Sequence, residues 1–192
     1  MVAFTSHAQT KVVGECSVQF NIEQYQNQQW QSLGQKSVFI KGSQCKTILT
    51  TPKLLQTLVF SSLQDSAVLM KEIGDSKFLQ HINFPPKTLP TLVTMKKLYA
   101  DSVLMIAGYT CNALQLVFSD QTTYDVFYTT AIIPTIPYFE IAFKDIPGLV
   151  LAYSITTNKG VPIKYTATQV DLSPITLNQF EFNSNDYQII DK

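Results

Sequence analysis

Glu15-Cys16-Ser17-Val18-Gln19-Phe20-Asn21-Ile22 is the stretch that decides the fold class. Cys16, Val18, Phe20 and Ile22 fall on one side of an extended chain, and Glu15, Ser17, Gln19 and Asn21 on the other. A period of two is what a half-buried β-strand requires, because successive side chains leave opposite faces of the pleat. Wound into a helix, the same apolar residues would scatter around the axis and make no continuous stripe.

Outward from this strand the pattern recurs. Residues 37–40 continue past Gly42, a turn or bulge, into 45–50, and Pro52 ends that run. Short strands follow at 55–60, 67–73 and 77–82, separated by the polar turn 61–66 and by Gly74-Asp75-Ser76. Further strands are expected at 103–106, 109–118, 123–129, 149–156, 161–170, 179–182 and 187–190. Asn158-Lys159-Gly160 provides a hairpin loop. The Gln- and Asn-rich segment 24–35, which holds the single tryptophan Trp30, reads as an exposed loop. Leu92, Met95, Leu98 and Tyr99 recur at helical spacing after Pro90, so residues 91–99 predict one short helix. The Pro-punctuated connection 134–147 is unfit for a central strand, because proline has no ladder donor. One antiparallel, mainly β (α+β) domain with one helical excursion results.

A chain of 192 residues with 45% hydrophobic content suits one domain and buries a sizeable core. The formal net charge is zero and every basic residue is lysine. Without arginine or a basic excess, a nucleic-acid partner is not expected. No apolar run approaches the roughly 20 residues needed to span a bilayer, so no transmembrane span is expected. Cys16, Cys45 and Cys111 are odd in number and show no metal-ligand spacing. They read either as one disulfide plus a buried thiol or as three small buried hydrophobes.

Residues 1–8, Met-Val-Ala-Phe-Thr-Ser-His-Ala, read as the remnant of a secretion signal. Ser6 and Ala8 occupy the two positions that signal peptidase requires to be small, and Gln9 would begin the mature domain, residues 9–192. The expectation is export to the periplasm or beyond. That setting lacks ATP and a reduced thiol pool, which removes most intracellular enzyme classes.

Four short stretches then match a known pattern. Ile106-Ala107-Gly108-Tyr109-Thr110-Cys111-Asn112-Ala113 resembles the GYxCxxA strand of exported LolA-like domains, a group that includes the GLPGLI families of Gram-negative bacteria. Val126-Phe127-Tyr128-Thr129-Thr130 resembles their next strand. Ile146-Pro147-Gly148-Leu149-Val150-Leu151 stands where they carry Gly-Leu-Pro-Gly-Leu-Ile, and Phe180 to Tyr187 matches a last aromatic element. The likeness runs over roughly residues 35–190. Ile146 replaces the leading Gly-Leu, and Lys46 stands where many relatives carry arginine. The resemblance implies a strongly curved antiparallel sheet, a half-open barrel around a helical lid, whose apolar concave face serves lipid-linked cargo. Function need not follow fold.

The residues fit such a cavity. The lid helix offers Leu92, Met95, Leu98 and Tyr99, while the strands present Val18, Phe20, Ile40, Leu58, Phe60, Met70, Phe118, Val126, Tyr128, Leu151 and Tyr153. Either the sheet closes upon itself or a cleft remains for a lipid or other hydrophobic ligand. No cofactor or metal is expected, and no enzyme. His81 lacks a nucleophile motif and an oxyanion hole, and the carboxylates Glu72 and Asp75, or Asp120 and Asp125, lie among turn residues. Two other readings stay open. Trp30 and Tyr25 suit a sugar-stacking carbohydrate-binding module. Sheet edges and the connection 134–147 suit a structural protein that docks an envelope partner.

Overall fold

The computed structural model describes residues 10–85, 93–136, 138–156 and 160–190, with the backbone alone at 93–95 and 100–102. The predicted signal remnant 1–8, Leu92 and the Asn158-Lys159 loop lie outside the described residues. Strands β1 (Lys11–Val13), β2 (Glu15–Gln26), β3 (Gln29–Lys41), β4 (Gln44–Thr51), β5 (Leu54–Ser61), β6 (Ser66–Ile73) and β7 (Ser76–Asn83) follow one another through tight turns. The second half holds β8 (Val93–Ile106), β9 (Tyr109–Phe118), β10 (Thr123–Thr129), β11 (Ile132–Pro134), β12 (Leu149–Thr156), β13 (Ile163–Asp171) and β14 (Gln188–Ile189).

Twelve of these strands form one sheet in the order β14-β7-β6-β5-β4-β3-β2-β13-β12-β10-β9-β8, antiparallel throughout except where β14 runs parallel to β7. The two end strands do not pair, so the sheet is not closed into a barrel. It is nevertheless curved. The rings of Phe60 on β5 and Tyr124 on β10 lie 6.3 Å from Tyr138 and 6.4 Å from Phe143, respectively. Six strand spacings separate β5 from β10, roughly 29 Å in a flat sheet. Tyr138 and Phe143 are only five residues apart, a reach of at most about 18 Å when fully extended. One short segment thus meets side chains from strands six positions apart, in keeping with the curve of the sheet.

The inner face carries Cys16, Val18, Phe20 and Ile22 of β2, and their cross-strand partners Ile40, Val38 and Lys36 of β3. The first strand is therefore where the alternation places it. The helix predicted over 91–99 is not: the described part of that segment is the beginning of edge strand β8, paired with β9. Register irregularities between Val93 and Met95, and between Tyr99 and Val103, break the period of two and imitate helical spacing. Residues 24–35 are likewise not a loop. They continue β2 and β3 into a long hairpin that turns at Asn27 and Gln28, both at positive φ (50° and 63°), which matches the twist of the strands. The strand expected at 179–182 is replaced by a 3-10 turn, Leu177–Phe180.

The inner face is filled by the connection that precedes β12. Ile132, Pro134, Ile136, Phe139, Phe143 and Ile146 are all buried there. Phe139 packs on Phe20 at 5.6 Å and Phe143 on Tyr153 at 5.0 Å. Prolines that bar this segment from the sheet leave it free to cross the sheet's face as a plug. Its start is pinned by β1, which pairs in parallel with β11. Its end is pinned at Gly148, where φ is 153° and an added Cβ would lie 2.1 Å from the carbonyl oxygen of Thr129.

The C-terminal segment crosses the opposite face. Lys46 Nζ donates to the Gln179 carbonyl oxygen at 2.8 Å, and Tyr187 Oη donates to Glu72 Oε1 at 2.5 Å. Met70 and Leu79, paired across β6 and β7, are buried on this outer side. The three cysteines are free and buried. Cys16 and Cys45 flank Ile40 from the strands on either side, so their Cα atoms are roughly 9–10 Å apart, too far for a disulfide.

Candidate functional site

Lys36 lies in phase with Val38 and Ile40, so β3 aims a lysine into the apolar interior. Its side chain is only 8% exposed. Burying an ammonium is costly without partners, and the plug supplies one. Lys36 Nζ donates to Glu140 Oε1 and, at 3.0 Å, to Tyr153 Oη. Tyr153 Oη in turn donates to the same Glu140 oxygen at 2.5 Å. The rings of Phe139, Tyr153 and Tyr165 surround the ammonium at 4.8, 5.5 and 5.7 Å from their centroids. Tyr153 and Tyr165, opposite each other on β12 and β13, stack at 4.3 Å.

Beside this network a cavity of about 320 Å³ opens between β3–β5 and the plug. Leu49, Leu58, Phe84, Phe139 and Ile141 supply its apolar wall. Lys36, Thr47, Gln56, Glu140 and Tyr165 supply its polar groups. Its size lies at the lower end of the range of small-molecule sites, and a mostly apolar lining with a few convergent polar groups is their usual make-up.

Burial raises the hydroxyl pKa of Tyr165 to about 12, with the Glu140 charge adding to it and Tyr124 a smaller contributor. Tyr124 also rises to about 12, from burial first, then Glu140 and Asp120. Burial, reinforced by Glu140, drives Tyr153 well above the ordinary value of 10.0. A phenol whose pKa is higher folded than unfolded stabilises the fold below pH 10, and that contribution fades as pH climbs toward 12. Tyrosinate absorbance at 295 nm should therefore show these three phenols, and that of Tyr187, still protonated above pH 10, with stability falling across pH 10–12. Titration of all nine tyrosines together near pH 10, with the fold intact, would contradict this.

The structure draws most of the sequence-predicted ligand residues into one interior. Val18, Phe20, Ile40, Phe60, Phe118, Val126, Tyr128, Leu151 and Tyr153 are buried in a single core, with Leu58 packed against it. Of these, Leu58 lines the cavity beside Lys36. Met70 stands apart on the outer face. Over its described residues the predicted lid is strand rather than helix: Leu98 is 64% exposed on β8, Tyr99 is half-buried beside it, and the side chain of Met95 is not described. The plug occupies the place assigned to a lid.

The remaining candidates have ordinary partners. His81 is exposed. Asp120 accepts from the Thr122 amide at 2.9 Å and Asp125 from Gln115 at 2.7 Å. Glu72 takes Tyr187 and Lys77. Trp30 meets the edge of Tyr25 at 5.4 Å and carries Lys164 over its ring at 4.7 Å. The connection 134–147, read as a docking surface, turns Pro134, Ile136, Phe139, Phe143 and Ile146 into the interior and leaves Thr135, Lys144, Asp145 and Pro147 exposed. Sequence reasoning missed Lys36 and Glu140, although the phase of β3 signals the lysine.

No family model matches the chain, and no curated protein does. Solved structures do. A structure of PNGF-II superposes with a TM-score of 0.57 at 13% identity over 94% of this chain; the chain spans about a third of that protein, 32%. An uncharacterized conserved protein from Thermus thermophilus superposes with a TM-score of 0.54 at 10% identity, covering 91% of this chain and 89% of that one. A DUF1329 family protein from Desulfovibrio piger gives 0.44 at 6% identity, over 88% and 90%. The first two likenesses show a shared fold of curved β-sheet, and the LolA-like resemblance rests on the short sequence motifs alone.

Proposed function

We propose that the chain is a non-enzymatic binding protein of the bacterial envelope, taking a ligand with an apolar body into the cavity between β3–β5 and the plug. The observation that carries this reading is the apolar cavity of about 320 Å³ with the Lys36–Glu140–Tyr153 network at its wall. No helix among the described residues is long and apolar enough to cross a membrane. Export rests on Ser6 and Ala8; in cells that produce it naturally the mature protein should begin at Gln9, and its recovery from the cytoplasmic fraction would refute export.

Fluorescence titration with the neutral probe N-phenyl-1-naphthylamine tests the binding reading. Leu58→Trp fills the cavity from a half-buried wall position and should weaken probe binding about tenfold or more. Unfolding midpoints within a few degrees of the parent would show that the fold persists. Undiminished probe binding in a folded Leu58→Trp protein would overturn the proposal.

A further inference from the structure

We infer that the ligand is a neutral amphiphile whose polar end offers hydroxyl or amide hydrogens, the chemistry of a monoacylglycerol or a fatty-acyl amide, rather than a free fatty acid or an alkylamine. This rests on the cavity being a binding site, as proposed above.

Lys36 and Glu140 are the ionised residues of the cavity wall, and their charges cancel. They are not equally accessible. The Lys36 ammonium is enclosed by Glu140, Tyr153 and three aromatic rings, and its side chain is 8% exposed. An incoming carboxylate reaches it only by displacing Glu140, which would strand a second anion in the same partly buried place. The Glu140 side chain is 28% exposed, and Oε1 accepts both bonds of the network. The carboxylate is thus the more exposed member of the pair, so the pocket presents the anion rather than the cation. The ion pair as a whole is neutral and its cation is enclosed, so an anionic head group finds no uncovered positive charge there to offset its lost hydration. An alkylammonium meets a carboxylate already neutralised by Lys36, with the lysine charge directly behind it. A hydroxyl or amide donor can bond to the carboxylate without either penalty. Gln56, half-buried in the wall, and the Thr47 hydroxyl add donors and acceptors suited to a second polar group.

Matched twelve-carbon ligands test this: 1-monolauroylglycerol, laurate and dodecylamine, each titrated below its micellar concentration at neutral pH. Monolauroylglycerol should bind about tenfold or more tightly than either charged ligand. Glu140→Gln keeps an acceptor and uncovers the Lys36 charge. It should raise the affinity for laurate relative to monolauroylglycerol about tenfold. Laurate or dodecylamine binding as well as monolauroylglycerol to the parent protein would overturn the inference while leaving a binding cavity in place. Failure of all three to bind would remove the cavity reading with it. The parent ranking stands by itself should Glu140→Gln not fold.

Discussion

Phe143→Ala should lower the unfolding free energy by about 3–5 kcal/mol, the range for removing a buried phenylalanine. Phe143 has no exposed surface and meets Phe139 at 5.3 Å, Tyr153 at 5.0 Å and Tyr124 at 6.4 Å. These rings come from the plug, β12 and β10, so truncation leaves a void where the curled sheet meets its filling. For a chain of this length each kcal/mol shifts the melting temperature by roughly 2–4 °C, so a fall of about 10 °C is expected. Leu98→Ala is the paired control. Leu98 belongs to the segment whose spacing predicts a lid, yet it is 64% exposed, and its loss should stay within about 0.5 kcal/mol. Comparable losses at the two positions, measured by urea unfolding, would mean that β8 rather than the plug closes the inner face.

Glu140→Ala should cost nearly as much, about 3 kcal/mol, by leaving the Lys36 ammonium buried without its carboxylate. The partial exposure of Glu140 places the cost at the low end of the buried-pair range. The loss should be largely recovered by adding Lys36→Met, which removes the stranded charge and keeps a side chain of similar length against Phe139 and Tyr165. A double variant as unstable as Glu140→Ala alone would show that Glu140 acts through something other than the lysine.

The strands were legible because one apolar face alternates with one polar face, as in β2, β9 and β10. Where both faces are covered, the alternation loses its direction. Met70 lies in such a strand: Ala67 is buried on the inner side and Met70 on the side crossed by the C-terminal segment, so the phase of Ala67-Val68-Leu69-Met70 identifies no face. Edge strand β8 failed for a different reason: its register irregularities interrupt the period that defines a strand. Lys36 was legible in principle, since it keeps step with Val38 and Ile40. Its partner was not. Glu140 lies 104 residues further on, in a proline-broken connection without any periodicity, and only the curl of the sheet brings the two together. The plug itself illustrates the limit of local patterns: prolines tell where a chain leaves the sheet, and they do not tell which face it then covers.

Methyl-labelled NMR during titration with monolauroylglycerol measures most directly whether the plug leaves a usable site at its margin. Saturable shifts at Leu49, Leu58 and Ile141, with Ile136, Leu149 and Leu151 of the packed interior unmoved, are the predicted result. Shifts confined to the exposed Leu98, Val103 and Leu104 of β8, with the cavity methyls silent, would contradict it.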